Sequence, residues 1–177
     1  MWLAWRVSCE ARNLLVGRHP GVHCRCFSGG AVGDFSGVSV MAVKITPADS
    51  AFGKCVKERA SWRCERCGTQ YQEGDRGLHT SHGLGRGQWG VRFAGLNAIA
   101  ACYGCHQIEG GNWMQRMLTE EQRLLLRELA DDTFRAKEYR KTKGKGDVAK
   151  HYRDQFDQMR QLRECGVTGR IEFEDWL

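Results

Sequence analysis

The sequence lacks any long apolar stretch. No run of eighteen or more apolar residues occurs among its 177 residues, which argues against a membrane-spanning helix. The long apolar segment of a secretory signal peptide is also missing. Acidic residues are scarce before Met41, where only Glu10 and Asp34 accompany four arginines. No internal repeat is visible, so solenoid and propeller architectures are not expected.

The arginine-rich start has two interpretations. It resembles an organelle transit peptide, or it lies upstream of a true start at Met41, just before the periodic sequence begins. We favour the second and expect residues 1–44 to be disordered or upstream of the true start. A metal site there, formed by His19, His23, Cys24 and Cys26, is only weakly indicated, because Cys-x-Cys in a Gly/Ser-rich stretch is a common pattern.

Charge and length set broad limits on function. A chain of 177 residues is long enough for one domain with a hydrophobic core. Its net charge of +6 and pI of about 8.9 permit a polyanionic partner such as DNA, but ordinary solubility explains them equally well.

The cysteines are more informative. There are nine, an odd number, and four of them form two Cys-x-x-Cys pairs, Cys64 with Cys67 and Cys102 with Cys105. Two such pairs suit one tetrahedral Zn²⁺ in a reducing compartment better than a disulfide network. A redox dithiol is the alternative, but it needs a βαβ context that the sequence does not show. We therefore predict a structural Zn²⁺ bound by these four thiolates.

Periodicity predicts the elements around these pairs. Thr46 and Pro47 begin a helix that runs to about residue 60, and a short strand is expected over 78–82, followed by a glycine-rich loop. A short helix should start near Cys105 and stop at Gly110. Thr119 and Gln122 form a capping box for a helix of about twenty residues.

The end of the chain should be helical too. Asp147 suits the cap of a last helix that Gly166 stops. The tail after it is too short to stand alone, so Ile171, Phe173 and Trp176 are expected to pack back onto the helices.

Three stretches together carry a family resemblance: WRCERCG at 62–68, LHTSHGLGR at 78–86 and LNAIAACYGCHQ at 96–107. In order and spacing they resemble the four-cysteine HNH endonucleases, and within that group the phage NinG/Rap-type recombination proteins. The resemblance covers residues 47–110 well and the rest loosely. It implies an α+β protein whose zinc-stapled ββα-metal core, which is treble-clef-like, carries helical N- and C-terminal extensions.

The resemblance also implies boundaries, activity and location. Residues 45–116 would form the HNH nuclease domain and residues 117–177 a charged helical extension. The activity implied is metal-dependent hydrolysis of DNA phosphodiester bonds, in recombination or DNA processing in the cytoplasm of a bacterial or bacteriophage-infected cell. DNA is the implied partner, and branched or single-stranded DNA is among the candidate forms.

Site residues follow from matching the family motif. His82 matches the general base, Asn97 the residue that orients it, and His106 the ligand of a catalytic Mg²⁺ or Mn²⁺. An imidazole suits a base because its pKa lies near neutrality. Each residue also has a simpler interpretation: a hydrogen-bonded strand histidine, a turn-forming asparagine, and a further candidate ligand for the structural zinc.

One departure from the motif concerns the catalytic metal. The family has Asp or His directly before the base, whereas this chain has Ser81, and a serine hydroxyl is a poor ligand for a divalent ion. His79 shares strand parity with Ser81 and Glu109 lies one helical turn beyond His106, so either could take its place.

Basic residues indicate where DNA would bind. Arg86 follows His82 by four positions and suits a phosphate near the scissile bond. Four more cations at a predicted helix end resemble a backbone-contacting patch, although a solvated helix end explains them as well: Arg140, Lys141, Lys143 and Lys145. Two other functions stay open, a non-catalytic zinc-containing DNA-binding module, which Ser81 favours, and a zinc-stapled protein-interaction module.

Overall fold

The computed structural model describes residues 44–177. The predicted disorder before Lys44 and the His19–Cys26 cluster lie outside these residues. No helix of the described part is long and apolar enough to cross a bilayer. The elements are α1 (Pro47–Arg59), β1 (Leu78–His82), a 3₁₀ turn (Gly95–Asn97), β2 (Ala98–Cys102), α2 (Tyr103–Glu109), α3 (Met114–Met117), α4 (Glu120–Asp131), α5 (Thr133–Thr142) and α6 (Asp147–Glu164). The predicted α+β class is confirmed.

Helix α1 begins where the sequence predicts it. The Thr46 side chain accepts from the backbone N–H of Asp49, the Asp49 carboxylate accepts from the backbone N–H of Thr46, and Pro47 occupies the first helical position. Phe52 and Val56 on the inner face are fully buried against α6 and the sheet. Helix α1 is therefore the central element around which the other parts pack.

The sheet has two antiparallel strands, with Leu78 opposite Cys102 and His82 opposite Ala98. All five residues of β2 are buried, because the strand packs against both α1 and α2. Helix α2 follows directly, and the Cys102 side chain caps it. The chain order strand, strand, helix thus places the second cysteine pair and His106 at one end of the ladder and His82 at the other.

The C-terminal part packs onto α1, as the sequence predicts for the tail. Tyr152 on α6 is fully buried and donates its hydroxyl to the carbonyl of Phe93 at 2.7 Å. Ile171 is buried, and Phe173 and Trp176 are partly buried against the same core. One continuous hydrophobic cluster therefore includes residues from α1, the sheet and α6.

The single helix of about twenty residues predicted after Thr119 is wrong. Asp132 has an extended ψ of 99° and separates α4 from α5, and its carboxylate caps α5 by accepting from the backbone N–H of Arg135 at 2.9 Å. Leu126 is the buried residue of α4, whereas Leu125 is 48% exposed. The capping aspartate therefore ends α4 and redirects the chain into α5.

The predicted cap of the last helix is wrong by one position. Gly146 is the N-cap of α6, with φ of 59°, and Asp147 is the first helical residue. The positive φ favours glycine here, since other residues are strained in that conformation. Asp147 still contributes a favourable negative charge at the first turn of the helix.

Candidate functional site

The four predicted cysteines converge. Their sulfur atoms all lie within 4.8 Å of one another, and Cys67 Sγ lies 3.8 Å from Cys102 Sγ. Four sulfurs at about 2.3 Å around one ion in a tetrahedron are separated by about 3.8 Å. The cluster therefore has the dimensions that a four-coordinate metal ion requires, and it could hold one.

Local backbone geometry forms the two turns of this cluster. In the first, the Gly68 N–H donates to the Cys64 carbonyl at 2.8 Å, and Gly68 has φ of 74°. Across the turns, the Cys102 N–H points at Cys64 Sγ at 3.3 Å, and the Cys105 N–H points at Cys102 Sγ at 3.5 Å. Backbone donors aimed at sulfur stabilise thiolates, the form that binds metals.

The thiol pKa values of the cluster are shifted in opposite directions. Burial raises the pKa of Cys64 and of Cys105, which opposes thiolate formation there. Burial also raises the pKa of Cys67, but hydrogen bonds from Thr69 and the neighbouring thiols outweigh it and leave that pKa at about 6. Three further thiolates would gather only around a positive charge, which a metal ion supplies.

A buried carboxylate, that of Glu109, forms ion pairs that join the cysteine cluster to neighbouring segments. Glu109 at the end of α2 is only 8% exposed and accepts from Arg66 at 2.5 Å and from Arg116 at 2.7 Å. Arg66 belongs to the first cysteine turn, whereas Arg116 belongs to α3. Glu109 thus links the first cysteine turn, α2 and α3. Its carboxylate does not line the cleft that lies next to the cysteine cluster.

The predicted histidines line a cleft of about 790 Å³ next to the cluster. Its walls are α1, the loop before β1, β1 itself and the start of α2, and His79, His82 and His106 all face it. Arg86 lines the same cleft. The structure therefore brings together four of the predicted site residues.

His82 is held as a neutral ring. Its Nε2 lies 3.2 Å from the carbonyl oxygen of Arg92. Because a carbonyl only accepts, this contact places the proton on Nε2 and leaves the lone pair on Nδ1. Burial, and next the charge of Arg86, lower the pKa of His82 to about 4, with the Arg92 carbonyl partly opposing the change. The ring is therefore uncharged at neutral pH, with its lone pair on Nδ1.

Arg92 connects His82 to the start of α1. Its guanidinium makes two hydrogen bonds to the Asp49 carboxylate, at 2.9 and 2.6 Å, and a third to the Lys44 carbonyl at 2.9 Å. Both side chains are nearly inaccessible, at 3% and 6% exposure. Burial raises the pKa of Asp49, but the bonds from Arg92 and Thr46 outweigh this and lower it, so the pair stays charged. Sequence reasoning missed this pair, and a charged residue within the apolar run 91–94 is its only signal.

Asn97 acts on the loop after His82 rather than on the imidazole. Its side-chain oxygen accepts from the Leu84 N–H at 2.7 Å, and its amide donates to the carbonyls of Leu84 and Val91, both at 3.0 Å. The residue is fully buried. The predicted contact between Asn97 and His82 is therefore replaced by an indirect one, since Asn97 fixes the loop that joins His82 to Arg92.

His79 and His106 lie together at the other end of the cleft. Their rings stack with centroids 5.8 Å apart and planes inclined by 10°. Burial lowers the pKa of His79, and the charges of His106 and Lys57 lower it further. Two neighbouring imidazoles at this end of the cleft offer nitrogen lone pairs to a metal ion.

The remaining candidate ligands point elsewhere. Ser81 is 1% exposed, and its hydroxyl donates to the Gly110 carbonyl at 3.2 Å, so it does not face the cleft. Glu109, the other proposed substitute, is taken by its two arginines. The structure therefore leaves His79, of the alternatives considered, beside His106.

The basic patch predicted at the end of α5 divides in two. Arg140 and Lys141 line a hollow of about 480 Å³ between α4 and α5, away from the cleft. Lys143 and Lys145 flank Gly144, whose carbonyl accepts from the Ala48 N–H at 2.9 Å. These two lysines are exposed next to the first turn of α1, near the rim of the cleft that Ile45 and Asp49 line.

Comparisons of the chain with protein-family models, with curated proteins and with solved structures find no match. Function therefore has to be inferred from the residues and their geometry. Those residues are a four-cysteine cluster that could hold a metal ion and a histidine-lined cleft directly beside it.

Proposed function

We propose that this chain is a metal-dependent HNH-type endonuclease that hydrolyses DNA phosphodiester bonds, with a role in phage-type recombination or DNA processing. The observation that carries the proposal is the convergence of His79, His82 and His106 on one cleft beside the four-cysteine cluster. The order strand, strand, helix, with the second cysteine pair between β2 and α2, supports the same conclusion.

The cluster, in this proposal, holds a structural Zn²⁺. Four thiolates in a closed tetrahedral arrangement are a set that zinc prefers, and no position is left for a substrate. The two turns that supply the ligands lie at the end of β2 and just after α1. The ion would therefore fix the base of the cleft without taking part in the reaction.

His82 would act as the general base. Its Nδ1 lone pair is available at neutral pH because the Arg92 carbonyl holds the proton on Nε2. A water oxygen would form a bond to phosphorus while its proton passes to Nδ1, and the bond from phosphorus to one ester oxygen would break. That ester oxygen would then take a proton from solvent.

A catalytic divalent ion, such as Mg²⁺ or Mn²⁺, would be held by His106 and His79. Such an ion would supply positive charge at the scissile phosphate and the departing oxygen. Arg86 lies in the same cleft, where its guanidinium would bind a phosphate oxygen. Lys143 and Lys145 beyond the rim of α1 would bind the DNA backbone without sequence preference.

The test is His82→Ala, with His151→Ala as the matched control. His151 lies on α6, outside the cleft, and contacts the Glu174 carbonyl. Loss of a general base should reduce nicking of supercoiled plasmid in Mg²⁺ or Mn²⁺ by about 10²- to 10⁴-fold. Zinc content and circular dichroism should match the wild type in both variants. Undiminished nicking by His82→Ala would refute the assignment of the base.

One observation favours a second function, a non-catalytic zinc-containing module that binds branched or single-stranded DNA. Ser81 and Glu109 are both committed to other partners, so of the residues considered as ligands for the catalytic ion, neither of these two reaches the cleft. A wild-type sample that binds DNA yet cleaves no substrate across a panel of divalent ions would establish this alternative. Absence of DNA binding at low salt would instead favour a protein-interaction module.

A further inference from the structure

Two lysines on α1, Lys54 and Lys57, line the histidine cleft one helical turn apart. They differ in their partners. Lys54 lies 3.8 Å from the Glu73 carboxylate and is about half exposed. Lys57 has no carboxylate within ion-pair distance among residues 44–177, and its ammonium lies 5.9 Å from the ring centroid of Trp62.

Two of the three carboxylates that line the cleft are paired with cations. Asp49 binds Arg92, Glu73 lies against Lys54, and Asp75 accepts from the backbone N–H of Gln72 at 2.7 Å. Asp75 keeps its negative charge, because a backbone N–H does not neutralise it. Among the residues that line the cleft, the three other cations, Lys57, Arg76 and Arg86, therefore exceed this one carboxylate by two charges.

Lys57 is also partly removed from water. The residue is partly buried, and that burial lowers the pKa of its ammonium. A cation loses hydration on burial, and an anionic partner compensates for the loss. Packing over Trp62 compensates little, because 5.9 Å is close to the outer limit of about 6 Å for an attractive cation–π contact.

The position of Lys57 relates it to the proposed chemistry. It reaches the cleft from α1, while His79 comes from β1 and His106 from α2. Its charge acts on His79, whose pKa it helps to lower. An anion bound between these three side chains would meet Lys57 on one side and the two imidazoles on the other.

We propose that Lys57 donates a hydrogen bond to a non-bridging oxygen of the scissile phosphodiester, from the α1 side of the cleft. The inference rests on the proposed endonuclease function and adds a residue that the HNH resemblance does not supply. Phosphodiester hydrolysis increases the negative charge on these oxygens, so an ammonium beside them stabilises the transition state more than the ground state.

The first experiment measures binding without cleavage. A fluorescein-labelled 20-bp duplex is titrated with full-length, zinc-loaded protein without added Mg²⁺ or Mn²⁺ and without chelator, over a range of salt concentrations, using Lys57→Gln and the matched control Lys54→Gln. Glutamine keeps most of the packing over Trp62. Loss of one phosphate contact should lower the slope of log K against log salt by about 1 in Lys57→Gln. Lys54→Gln should change the slope less, because Glu73 already opposes its charge.

The second experiment measures single-turnover nicking of supercoiled plasmid in Mn²⁺. Lys57→Gln should slow nicking by about 10²- to 10³-fold, Lys57→Arg should restore a large part of the rate, and Lys54→Gln should stay within a few-fold of wild type. Equal metal content and circular dichroism would show that every variant is folded.

The possible results distinguish a failure of the role proposed for Lys57 from a failure of the proposed endonuclease function. A wild type that nicks DNA, together with a Lys57→Gln variant that has an unchanged salt slope and rate, would overturn the role of Lys57 alone. Equal losses in Lys57→Gln and Lys54→Gln would also overturn it, because general electrostatic attraction would then explain both. A wild type that neither binds nor nicks DNA would overturn the proposed function and this inference together.

Discussion

The four-cysteine cluster and the histidine cleft are adjacent, since Cys105 and His106 are consecutive residues, yet they are constructed differently. The cluster brings four ligand atoms within 4.8 Å of one another. The cleft brings two imidazoles to a ring separation of 5.8 Å and leaves the rest of its 790 Å³ open. The cluster is a closed coordination site, whereas the cleft is an open one.

This difference matches what the two sites are proposed to do. A closed site with four protein ligands contributes its binding free energy to folding, and a catalytic site must leave positions free for substrate and water. The partners of Ser81 and Glu109 keep the cleft open, because both side chains are held away from it. In the proposed function, the same short helix, α2, carries a structural ligand, Cys105, and a catalytic one, His106, on neighbouring residues.

The largest expected effect is the difference in zinc content and stability between a variant of the cysteine cluster and a variant of the histidine cleft. Cys102→Ser should abolish stoichiometric zinc binding and unfold the core at room temperature, because structural zinc supplies about 10 kcal/mol or more in small zinc domains. His106→Ala should keep one zinc per chain and a cooperative thermal transition, since that residue is partly exposed. Metal analysis and thermal unfolding of both variants provide the measurement. A folded, zinc-free Cys102→Ser protein would show that the cluster does not maintain the fold.

Sequence patterns predicted well the features of both sites that depend on neighbouring residues in the chain. The start of α1 at Thr46 and Pro47, strand β1 at 78–82 and the end of α2 at Gly110 all depend on caps and turns within a few residues. The cysteine pairs were identified in the same way, because Cys-x-x-Cys spacing forms a tight turn by itself. Local chemistry is sufficient to define such elements.

The parts that sequence could not predict depend on distant residues. Arg92 binds Asp49 across 43 positions, and the Tyr152 hydroxyl reaches the Phe93 carbonyl across 59. Neither pairing has a spacing rule, since each depends on how α1, the loop and α6 pack together. The prediction of one continuous helix after Thr119 failed at Asp132 for a different reason. An aspartate there is compatible with an exposed position inside a helix and with a helix cap, and the packing of α5 decides between the two.

The next prediction concerns the pH dependence of folding stability, to which His82 of the cleft makes a contribution distinct from that of the cysteine cluster. The pKa of His82 is about 4 in the folded protein and about 6.5 in an unfolded chain. Above pH 6.5 both states are neutral, and as the pH falls from 6.5 to 4 the unfolded chain binds a proton that the folded protein does not. Stability should therefore decrease over this window, by roughly 2 kcal/mol between pH 7 and pH 5.

Urea unfolding of wild type and His82→Gln at pH 7 and pH 5 measures this contribution. Cysteine protonation also weakens metal binding as pH falls, but it does so in both proteins, so the difference between them isolates His82. His82→Gln should lose about 2 kcal/mol less than the wild type. Equal losses would mean that burial does not lower the pKa of His82 in the folded protein.

The smallest expected effect concerns Ser81, the residue that keeps the cleft open. Ser81→Ala removes one hydrogen bond to the Gly110 carbonyl and should cost about 1 kcal/mol of stability, because that glycine is exposed and water can replace the donor. Since the hydroxyl does not face the cleft, the Mn²⁺ concentration for half-maximal nicking should not change. His79→Ala, by contrast, should raise that concentration, since its imidazole lies beside His106. If Ser81→Ala raised it as much as His79→Ala, Ser81 would be a ligand of the catalytic ion, and the cleft would be closer to the closed arrangement of the cysteine cluster.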